Sequence, residues 1–414
     1  MTETETRARA ALEVDRWRER LIALSRSLHA EPETAFAEHA SAEKLAVLLE
    51  SAGFAVERGI CELPTAFSAT YGSGDLTIGV CAEYDALPEI GHACGHNIIA
   101  AAGAGAAIAL ATAAEEHGFQ VKLLATPAEE SGGGKALMLE RGAFDDVTVA
   151  MMVHPAPSAD IADSAWSSQA NTRFEVTFHG KASHAAAAPA HGVNAADAAV
   201  LAQVAVGLLR QQISDGFRIA GFVTEGGQRT NIIPERAILE YEVRTPTAEE
   251  GAILRERVLN CFRGAALATG TTMEVRPSSP DYADLRHDAW LMDAYRRNIT
   301  ETGRTPIVIP PSVKPLASTD MGNVTHALPA IHPSVGVRGA HAMPHTREFA
   351  AETNTPAADD AVIDAAKALA WTGIDLAREP AQRAAYLGKQ AERHRLRTRD
   401  GLEDRAHVVP DDLV

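Results

Sequence analysis

The sequence predicts an α/β fold: a large domain with a mostly parallel sheet flanked by helices, and an inserted ferredoxin-like α+β domain. Three observations lead to this prediction. The chain has 414 residues, more than one ordinary core accommodates, so at least two domains are expected. Short apolar runs alternate with helical periodicity up to about residue 153. The middle of the chain then changes to the order β-α-β-β-α-β.

The first part of the large domain is assigned to residues 1–166. The spacing of apolar residues predicts helices at residues 14–30, 41–52, 98–114 and 136–141. Short apolar runs predict strands at residues 66–71, 76–82, 121–125 and 147–153. Strands that alternate with helices are typical of parallel βαβ units.

The inserted domain is assigned to residues 167–285. Its predicted strands are residues 173–178, 218–224, 237–244 and 272–276, and its predicted helices are residues 194–211 and 247–269. Asn194 is a suitable N-cap for the first helix, and Glu249 and Glu250 favour the start of the second. The long apolar helix and an exposed sheet edge suit a lid or a dimer contact, although core packing would explain them equally well.

Residues 286–377 read as a return to the large domain. They predict helices at 290–303 and from Thr355 to about 376, where Pro356 suits the first helical position, and strands at 305–309 and 331–337. Residues 378–414 form a charged C-terminal tail, which is interpreted either as a partner-binding arm or as a solvated helix with a frayed end.

The composition limits the classes of partner. The formal net charge is −17, which argues against nucleic acid or an anionic membrane, since both need a basic face. The chain has no run of 18 apolar residues, and its charged first residues lack the apolar core of a signal peptide, so a cytoplasmic protein is expected. The four cysteines show no disulfide-framework spacing.

Chemically active residues follow three predicted strands. Asp85 and the Cys94/His96 pair follow the strand at 76–82, Glu129 and Glu130 follow the next strand, and His154 follows the third. Each residue alone has an ordinary explanation as a turn, loop or surface residue. Ligands of open α/β sheets bind at the carboxyl ends of strands, and a thiolate beside an imidazole suits a metal ion. The combination therefore favours one site.

The motifs ACGHN, PAEESGGG, MVHP, KASHAAAAPAHGVNA, TNIIPERAILEYEVR and PHTREF occur in one order that resembles metallopeptidase family 20, the two-metal aminoacylase/carboxypeptidase family. The segment AEYDALPEIGHACGHN is most similar to the amidohydrolase branch that holds the p-aminobenzoyl-glutamate hydrolases and β-alanyl-dipeptidase-like relatives. The resemblance covers nearly all of the chain except its extreme termini.

This resemblance implies two divalent metal ions, with zinc the first expectation and manganese the alternative. The implied ligands are Cys94, His96, Glu130, His154 and His345. Cys94 stands where the wider family has a bridging aspartate, and a thiolate can also bridge. His341, four residues before His345, stays open as the last ligand, and the role of His92 is also open.

The resemblance further implies that Glu129 is the general base, which takes a proton from a metal-activated water and passes it to the leaving amine. Asp85 would orient a ligand histidine through its other ring N–H, or would only cap a turn. His184 would steady the oxyanion in the neighbouring subunit, and Asn231 and Arg244 would bind the substrate carboxylate. A surface histidine and a strand-end ion pair are the simpler explanations of these last residues.

We therefore expect a homodimeric, metal-dependent amidohydrolase or peptidase. Its expected substrate is an N-acyl-amino acid, such as p-aminobenzoyl-glutamate, or a β-alanyl-type dipeptide with a free carboxylate. The alternatives are a dipeptidase or carboxypeptidase of the same family, a thiol hydrolase that uses Cys94 and His96 without metal, and a non-catalytic partner in a heteromeric hydrolase.

Overall fold

A computed structural model of the chain describes residues 2–310, 313 and 317–399. The described residues fall into two compact units. The first unit draws on Met1–Ser167, Leu285–Val313 and Asn323–Val414, and the second draws on Ser168–Asp284 and Lys314–Gly322. Residues 400–414 of the predicted charged tail lie outside the described residues.

The first unit contains most of the helices and two sheets. Its helices are α1 (Glu3–Ala30), α2 (His39–Ser51), α3 (His96–His117), α4 (Gly134–Glu140), α7 (Ala289–Glu301), α9 (Arg347–Glu352), α10 (Pro356–Arg378) and α11 (Pro380–Arg399). Helix α8 (Met321–Ala327) begins two residues before Asn323, where the last segment of the first unit starts. Its strands are β1 (Ala55–Arg58), β2 (Phe67–Gly72), β3 (Leu76–Ala82), β4 (Phe119–Ala125), β5 (Val149–Met151), β6 (His154–Pro157), β11 (Ala330–Ile331) and β12 (Ser334–Val337).

The larger sheet of this unit has the strand order β1-β2-β4-β3-β5-β11. The four strands from β4 to β11 are parallel, while β1 and β2 pair antiparallel at one side. All seven residues of β3 are buried, as expected for a central parallel strand. The carboxyl ends of β3, β4 and β5 therefore meet at one edge of the sheet.

Helix α3 packs so closely against α1 and α10 at Gly105 that a side chain there would not fit without a shift of its neighbours. A Cβ atom on Gly105 would lie 2.9 Å from the Cβ of Ala366 and 2.9 Å from Cδ1 of Leu21. Among the described residues, α3 is the one helix whose length and composition would suit a membrane span, and 89% of its most apolar window is buried in the protein. The helix is thus a core element of this unit.

The second unit is a four-stranded antiparallel sheet covered on one face by two helices. Its elements are β7 (Ala170–His179), α5 (Ala195–Leu209), β8 (Arg218–Glu225), β9 (Arg236–Thr245), α6 (Ala248–Thr269) and β10 (Thr272–Pro277), and the strand order is β10-β7-β9-β8. Burial alternates along β9, and the Tyr241 and Phe262 rings meet at 4.9 Å between centroids. The predicted fold class, including the ferredoxin-like unit, is confirmed.

Some predicted elements were wrong. Residues 305–309 form no strand, and only Ile307 makes an isolated bridge, to Ile161. Residues 147–153 and 331–337 were each predicted as one strand, but the chain leaves the large sheet after β5 and β11, and β6 and β12 pair with each other. Pro333 lies at this break and lacks the N–H that a continuing ladder needs.

The first part of the charged tail is a helix that contacts the rest of the first unit along one side, while most of its described side chains are exposed to solvent. In α11, Tyr386 is fully buried, and the Gln390 side chain accepts a hydrogen bond from Thr148 Oγ1 at 2.7 Å. The Arg393 guanidinium donates to the carbonyl oxygen of Val147 at 2.5 Å. These contacts hold α11 on the first unit.

Candidate active site

The first unit brings seven of the predicted site residues together at the carboxyl edge of its large sheet. They come from the loops that follow β3, β4 and β5 and from the segment between β12 and α9. These residues are Asp85, Cys94, His96, Glu129, Glu130, His154 and His345, and each contacts at least one other of the set.

The loop before α3 is pressed against the strand that carries His154. Gly95 has a left-handed backbone, with φ of 80°, and is the N-cap of α3. A Cβ atom at this position would lie 2.5 Å from Cγ of Pro155, so only glycine fits. This close approach places Cys94 Sγ 3.5 Å from His154 Nε2.

Two groups of metal-binding atoms share Cys94. The first group is Cys94, His96 and His154, and the second is Cys94, Glu130 and His345. Within each group, the candidate ligand atoms lie within 4.8 Å of one another. A thiolate common to two groups has the arrangement that a ligand bridging two cations requires.

The donor atoms fit divalent cations. Among the described residues, the buried atoms His96 Nε2 and Glu130 Oε1 have no hydrogen-bond partner, although buried polar atoms normally have one. Burial raises the pKa of the Cys94 thiol, and the Glu130 charge raises it further, so a thiolate here needs a nearby cation. Burial lowers the pKa of His154 to about 4, which keeps the ring neutral as a metal ligand must be.

Asp85 forms hydrogen bonds with one residue of each group. Its Oδ1 accepts a hydrogen bond from His96 Nδ1 at 2.9 Å, and its Oδ2 accepts one from the Glu130 backbone N–H at 3.0 Å. Burial alone would raise the pKa of Asp85, but the His96 ring and these hydrogen bonds hold it below its usual value. The carboxylate thus fixes the His96 tautomer that leaves Nε2 facing the other donor atoms.

Glu129 and Glu130 are adjacent in sequence and share one neighbour. Glu129 Oε2 lies 3.8 Å and Glu130 Oε1 lies 3.9 Å from His96 Nε2, and Glu130 Oε2 also lies 3.4 Å from His345 Nε2. The residue before them, Ala128, has an unusual left-handed backbone with φ of 58°. The turn that carries both carboxylates therefore begins with a disfavoured backbone conformation.

Glu83 and Lys135 were missed by the sequence analysis. Both side chains are fully buried, the Lys135 ammonium contacts Glu83 Oε1, and Glu83 Oε2 lies 3.5 Å from His96 Nε2. Glu83 also forms a third candidate group with His96 and Glu129. The available signal was a charged residue directly after an apolar strand, since lysine and glutamate are rarely buried unless paired.

Two histidines left open by the sequence lie outside the candidate groups. His345, with φ of 65°, reaches Glu130, whereas the exposed His341 donates its backbone N–H to Glu352 at 3.0 Å. His92 is buried, and its ring stacks on His29 at 6.4 Å between centroids. Burial lowers the pKa of His92 to about 3, which favours a neutral structural residue.

Three predicted site residues lie in the second unit, and the structure brings only two of them together. The backbone N–H of Ala185 donates to Asn231 O at 3.0 Å, and His184 forms a bridge with Ile232. The His184 Nδ1 accepts the backbone N–H groups of Ala186 and Ala187, at 3.2 and 3.0 Å, which puts the ring proton on Nε2. The exposed His184 therefore presents an N–H donor.

Arg244 lies far from this pair within the unit. It is the ninth residue of β9, and Asn231 precedes the first residue of that strand, Arg236. Eight steps at about 3.3 Å per residue separate Arg236 from Arg244 by about 26 Å. The Arg244 guanidinium forms two hydrogen bonds with Glu242, at 2.9 and 3.0 Å. Asn231 and Arg244 therefore lie towards opposite ends of β9.

Comparison with known proteins gives a consistent family. Residues 79–370 match the model of peptidase family M20/M25/M40. The chain is 39% identical over 391 residues to the Xaa-Arg dipeptidase of Mus musculus, covering 90% of this chain and 89% of the relative. It is 36% identical over 286 residues to one of the p-aminobenzoyl-glutamate hydrolase subunits of Escherichia coli strain K12, covering 64% of this chain and 59% of that protein.

Solved structures share the fold at lower identity. An aminobenzoyl-glutamate utilization protein from Klebsiella pneumoniae has a TM-score of 0.66 at 20% identity and covers 92% of this chain and 100% of that one. A dinuclear metal-binding peptidase of the M20 family from Bacillus subtilis has a TM-score of 0.64 at 22% identity, covering 87% of this chain and 99% of that one.

Proposed function

The chain belongs to peptidase family M20/M25/M40, and on that premise we propose that it hydrolyses the amide bond of a dipeptide or an N-acyl-amino acid with a free carboxylate. The family resemblance predicted from the motifs is confirmed, and the protein is a metal-dependent peptidase or amidohydrolase. Dipeptides that end in arginine are the first substrates to test, because of the similarity to the Xaa-Arg dipeptidase. p-Aminobenzoyl-glutamate and other N-acyl-amino acids are the next.

The observation that carries this proposal is the pair of candidate ligand groups that share Cys94. We propose that His96 and His154 complete one site for a divalent ion and that Glu130 and His345 complete the other. Zinc suits this mixture of thiolate, imidazole and carboxylate, and manganese is the alternative. Bound there, the two ions would lower the pKa of water and polarise the substrate carbonyl.

Glu129 is the proposed general base. Its Oε2 lies 3.8 Å from His96 Nε2, its side chain is 6% exposed, and it follows the left-handed Ala128. A carboxylate in this place accepts the proton of the attacking water and donates it to the nitrogen of the leaving amine. Asp85 holds His96 and Glu130 in register while this proton moves.

We propose that the substrate is bound by residues of two chains. Asn231 and His184 lie together beyond the first residue of β9, whereas Arg244 is near the other end of that strand. In the proposed arrangement one chain provides Arg244 and a second copy provides His184 and Asn231, so that a single substrate meets all three types of residue. The Nε2–H of His184 would then donate to the developing oxyanion, and the Arg244 guanidinium would bind the carboxylate.

A surface of the second unit supports a homodimer. Helix α5 exposes an apolar face at positions spaced for one side of a helix: Val200 is 58% exposed, Val204 56% and Leu208 70%. The neighbouring strand β8 is the edge of the sheet and exposes Phe222 at 59%. An apolar helix face beside an open strand edge is the kind of surface that a second copy covers.

The test combines metal analysis with the Glu129→Gln variant. We expect about two divalent ions per chain, loss of hydrolysis with a chelator, and recovery on adding metal. Glu129→Gln should keep the metal content, while kcat falls on the order of 10²–10⁴-fold because a general base is lost. The exposed Glu140 of α4 provides the control, and Glu140→Gln should match the wild type.

Three results would count against the proposal. Loss of metal together with activity in Glu129→Gln would show that base and ligand had been confused. Hydrolysis that survives complete metal removal would favour a thiol hydrolase that uses Cys94. A purified chain with neither metal nor activity on dipeptides and N-acyl-amino acids would favour a non-catalytic partner.

A further inference from the structure

The loop between α1 and α2, residues 32–38, contacts two loops of the candidate active site. The backbone carbonyl of Glu33 accepts a hydrogen bond from the Ala86 N–H at 2.8 Å, directly after Asp85. The Glu38 side chain accepts one from the Ala128 N–H at 2.9 Å, directly before Glu129. This short loop contains none of the metal-binding or catalytic residues proposed above, but it is hydrogen-bonded to the residue after Asp85 and to the residue before Glu129.

The contact with Ala128 falls on a strained residue. Ala128 has φ of 58°, a conformation that L-residues with a Cβ disfavour. Its carbonyl oxygen accepts the N–H groups of Gly132 and Gly133, at 2.9 and 2.8 Å, which closes the turn containing Glu129 and Glu130. Such a conformation persists only when its surroundings fix it, and the hydrogen bond from Ala128 to Glu38 fixes its other side.

Glu38 is an unfavourable residue for stability alone. Its side chain is fully buried, and its carboxyl group lies beside the Thr65 hydroxyl as well as the Ala128 N–H. Burial, reinforced by the Asp85 charge, raises the pKa of Glu38 to about 7. A buried carboxyl group is costly even with these neighbours, and its hydrogen bond with Ala128 is the contact that reaches the candidate active site.

Phe36 supports the same turn by packing. It also has a left-handed backbone, with φ of 59°. A Cβ atom on Gly132 would lie 2.4 Å from Cε2 of the Phe36 ring, so the ring lies directly against the glycine turn. The loop thus restrains the turn through a hydrogen bond at its start and an aromatic ring at its end.

We propose that Glu38 is a positioning residue for amide hydrolysis, which holds the Ala128 backbone so that the turn presents Glu129 and Glu130 to the candidate metal-binding residues. The inference rests on the proposed roles of these two glutamates. It assigns to the α1–α2 loop a part in the chemistry, through the geometry of the turn and without contact with the substrate.

Three substitutions of similar size separate the hydrogen bond from the charge. Glu38→Gln keeps an acceptor oxygen, Glu38→Asp withdraws it by one methylene, and Glu38→Met removes it. Glu43→Ala is the control from the next helix, because the exposed Glu43 carboxylate accepts its hydrogen bonds from Arg58 and not from the α1–α2 loop. Each variant is assayed with saturating metal, alongside its urea midpoint.

We expect Glu38→Gln to stay within about threefold of the wild-type kcat. Glu38→Met should lose about 10- to 100-fold in kcat with KM changed less than about threefold, since a misplacement of about 1 Å can cost that much. Glu38→Asp should fall between the two. Glu43→Ala should keep both kcat and a urea midpoint close to that of the wild type. If Glu38→Met does not fold, the comparison of Asp with Gln decides the question.

Hydrogen exchange of the peptide that covers residues 126–134 gives a measurement independent of activity. Exchange should be faster in Glu38→Met than in the wild type and Glu43→Ala, which would support the restraint even if the wild type hydrolysed none of the tested substrates. Such an inactive wild type would overturn the proposed function instead. Equal kcat values and equal exchange in the Met, Asp and Gln variants would overturn the positioning role.

Discussion

Replacing Asp85 by asparagine tests the link between the two candidate metal sites. The carboxylate is 1% exposed and accepts two hydrogen bonds, one from the His96 ring and one from the Glu130 backbone. An asparagine has one acceptor oxygen and one NH₂ group, so it can satisfy only one of these donors. The other donor is left facing an NH₂ group in a buried place.

The size of the effect follows from this unmatched donor. A hydrogen bond to a charged group contributes about 1.5–3 kcal/mol, and leaving a buried partner unsatisfied costs a similar amount. Part of this loss appears in the bound state, because His96 and Glu130 are the groups proposed to hold the ions. We therefore expect Asp85→Asn to bind metal about 10- to 100-fold more weakly, the range found when groups that orient metal ligands are changed.

Competition with a chromogenic chelator measures this affinity for the wild type and the variant. The control is Asp288→Asn, because Asp288 caps α7 through the N–H groups of Trp290 and Leu291, at 3.1 and 3.2 Å, and also accepts a hydrogen bond from the Tyr386 hydroxyl. None of these partners is a candidate ligand, so the control should lose stability and keep its metal affinity. A folded Asp85→Asn protein with wild-type affinity for both ions would refute the role given to Asp85.

Three further predictions concern other parts of the chain. For Glu38, the folded-state pKa of about 7 exceeds the ordinary value of 4.5, so the folded protein keeps a proton that the unfolded chain loses, and stability falls as pH rises from 4.5 to 7. The free energy of unfolding of metal-free Glu38→Gln, measured with urea, should thus exceed that of the wild type by about 3 kcal/mol at pH 8 and equal it at pH 4. A difference that does not change with pH would contradict this. If the proposed homodimer forms through α5, Leu208→Asp should give monomers in sedimentation and lower kcat, whereas an unchanged assembly would count against α5 as the interface. Gly105→Ala should lower the free energy of unfolding by about 1–3 kcal/mol, because its methyl group would overpack against Leu21 and Ala366. An increase of up to about 1 kcal/mol, as helix propensity alone predicts, would show that these neighbours move to make room for the methyl group.

The parts of the fold that the sequence predicted are those with strong local signals. Strand β3 is a continuous apolar run and was found within its predicted bounds, whereas β1 has four residues, none of them buried, and gave no pattern to read. The breaks after β5 and β11 depend on which strand each segment pairs with. Pairing across about 180 residues of sequence is not encoded in any local periodicity.

The site was predictable to a similar extent. Cys94, Glu130 and His154 follow strands whose carboxyl ends a parallel sheet brings together, so their proximity could be expected. The role of Glu83 could not be predicted, because it depends on a contact with Lys135, which lies in α4. Likewise, Glu38 gains its significance from a backbone N–H 90 residues later in the chain.

The order in which the site residues occur along the chain has a consequence for biosynthesis. Four of the proposed ligands lie between residues 94 and 154, but His345 follows 191 residues later, after the whole ferredoxin-like insertion. At about 5–20 residues per second, the ribosome adds His345 roughly 10–40 s after His154. Helix α10, which packs against α1 through Trp371 and Arg7, is completed later still. The nascent chain thus carries an open metal site and an uncovered apolar surface, while the insertion already has all of its strands and helices.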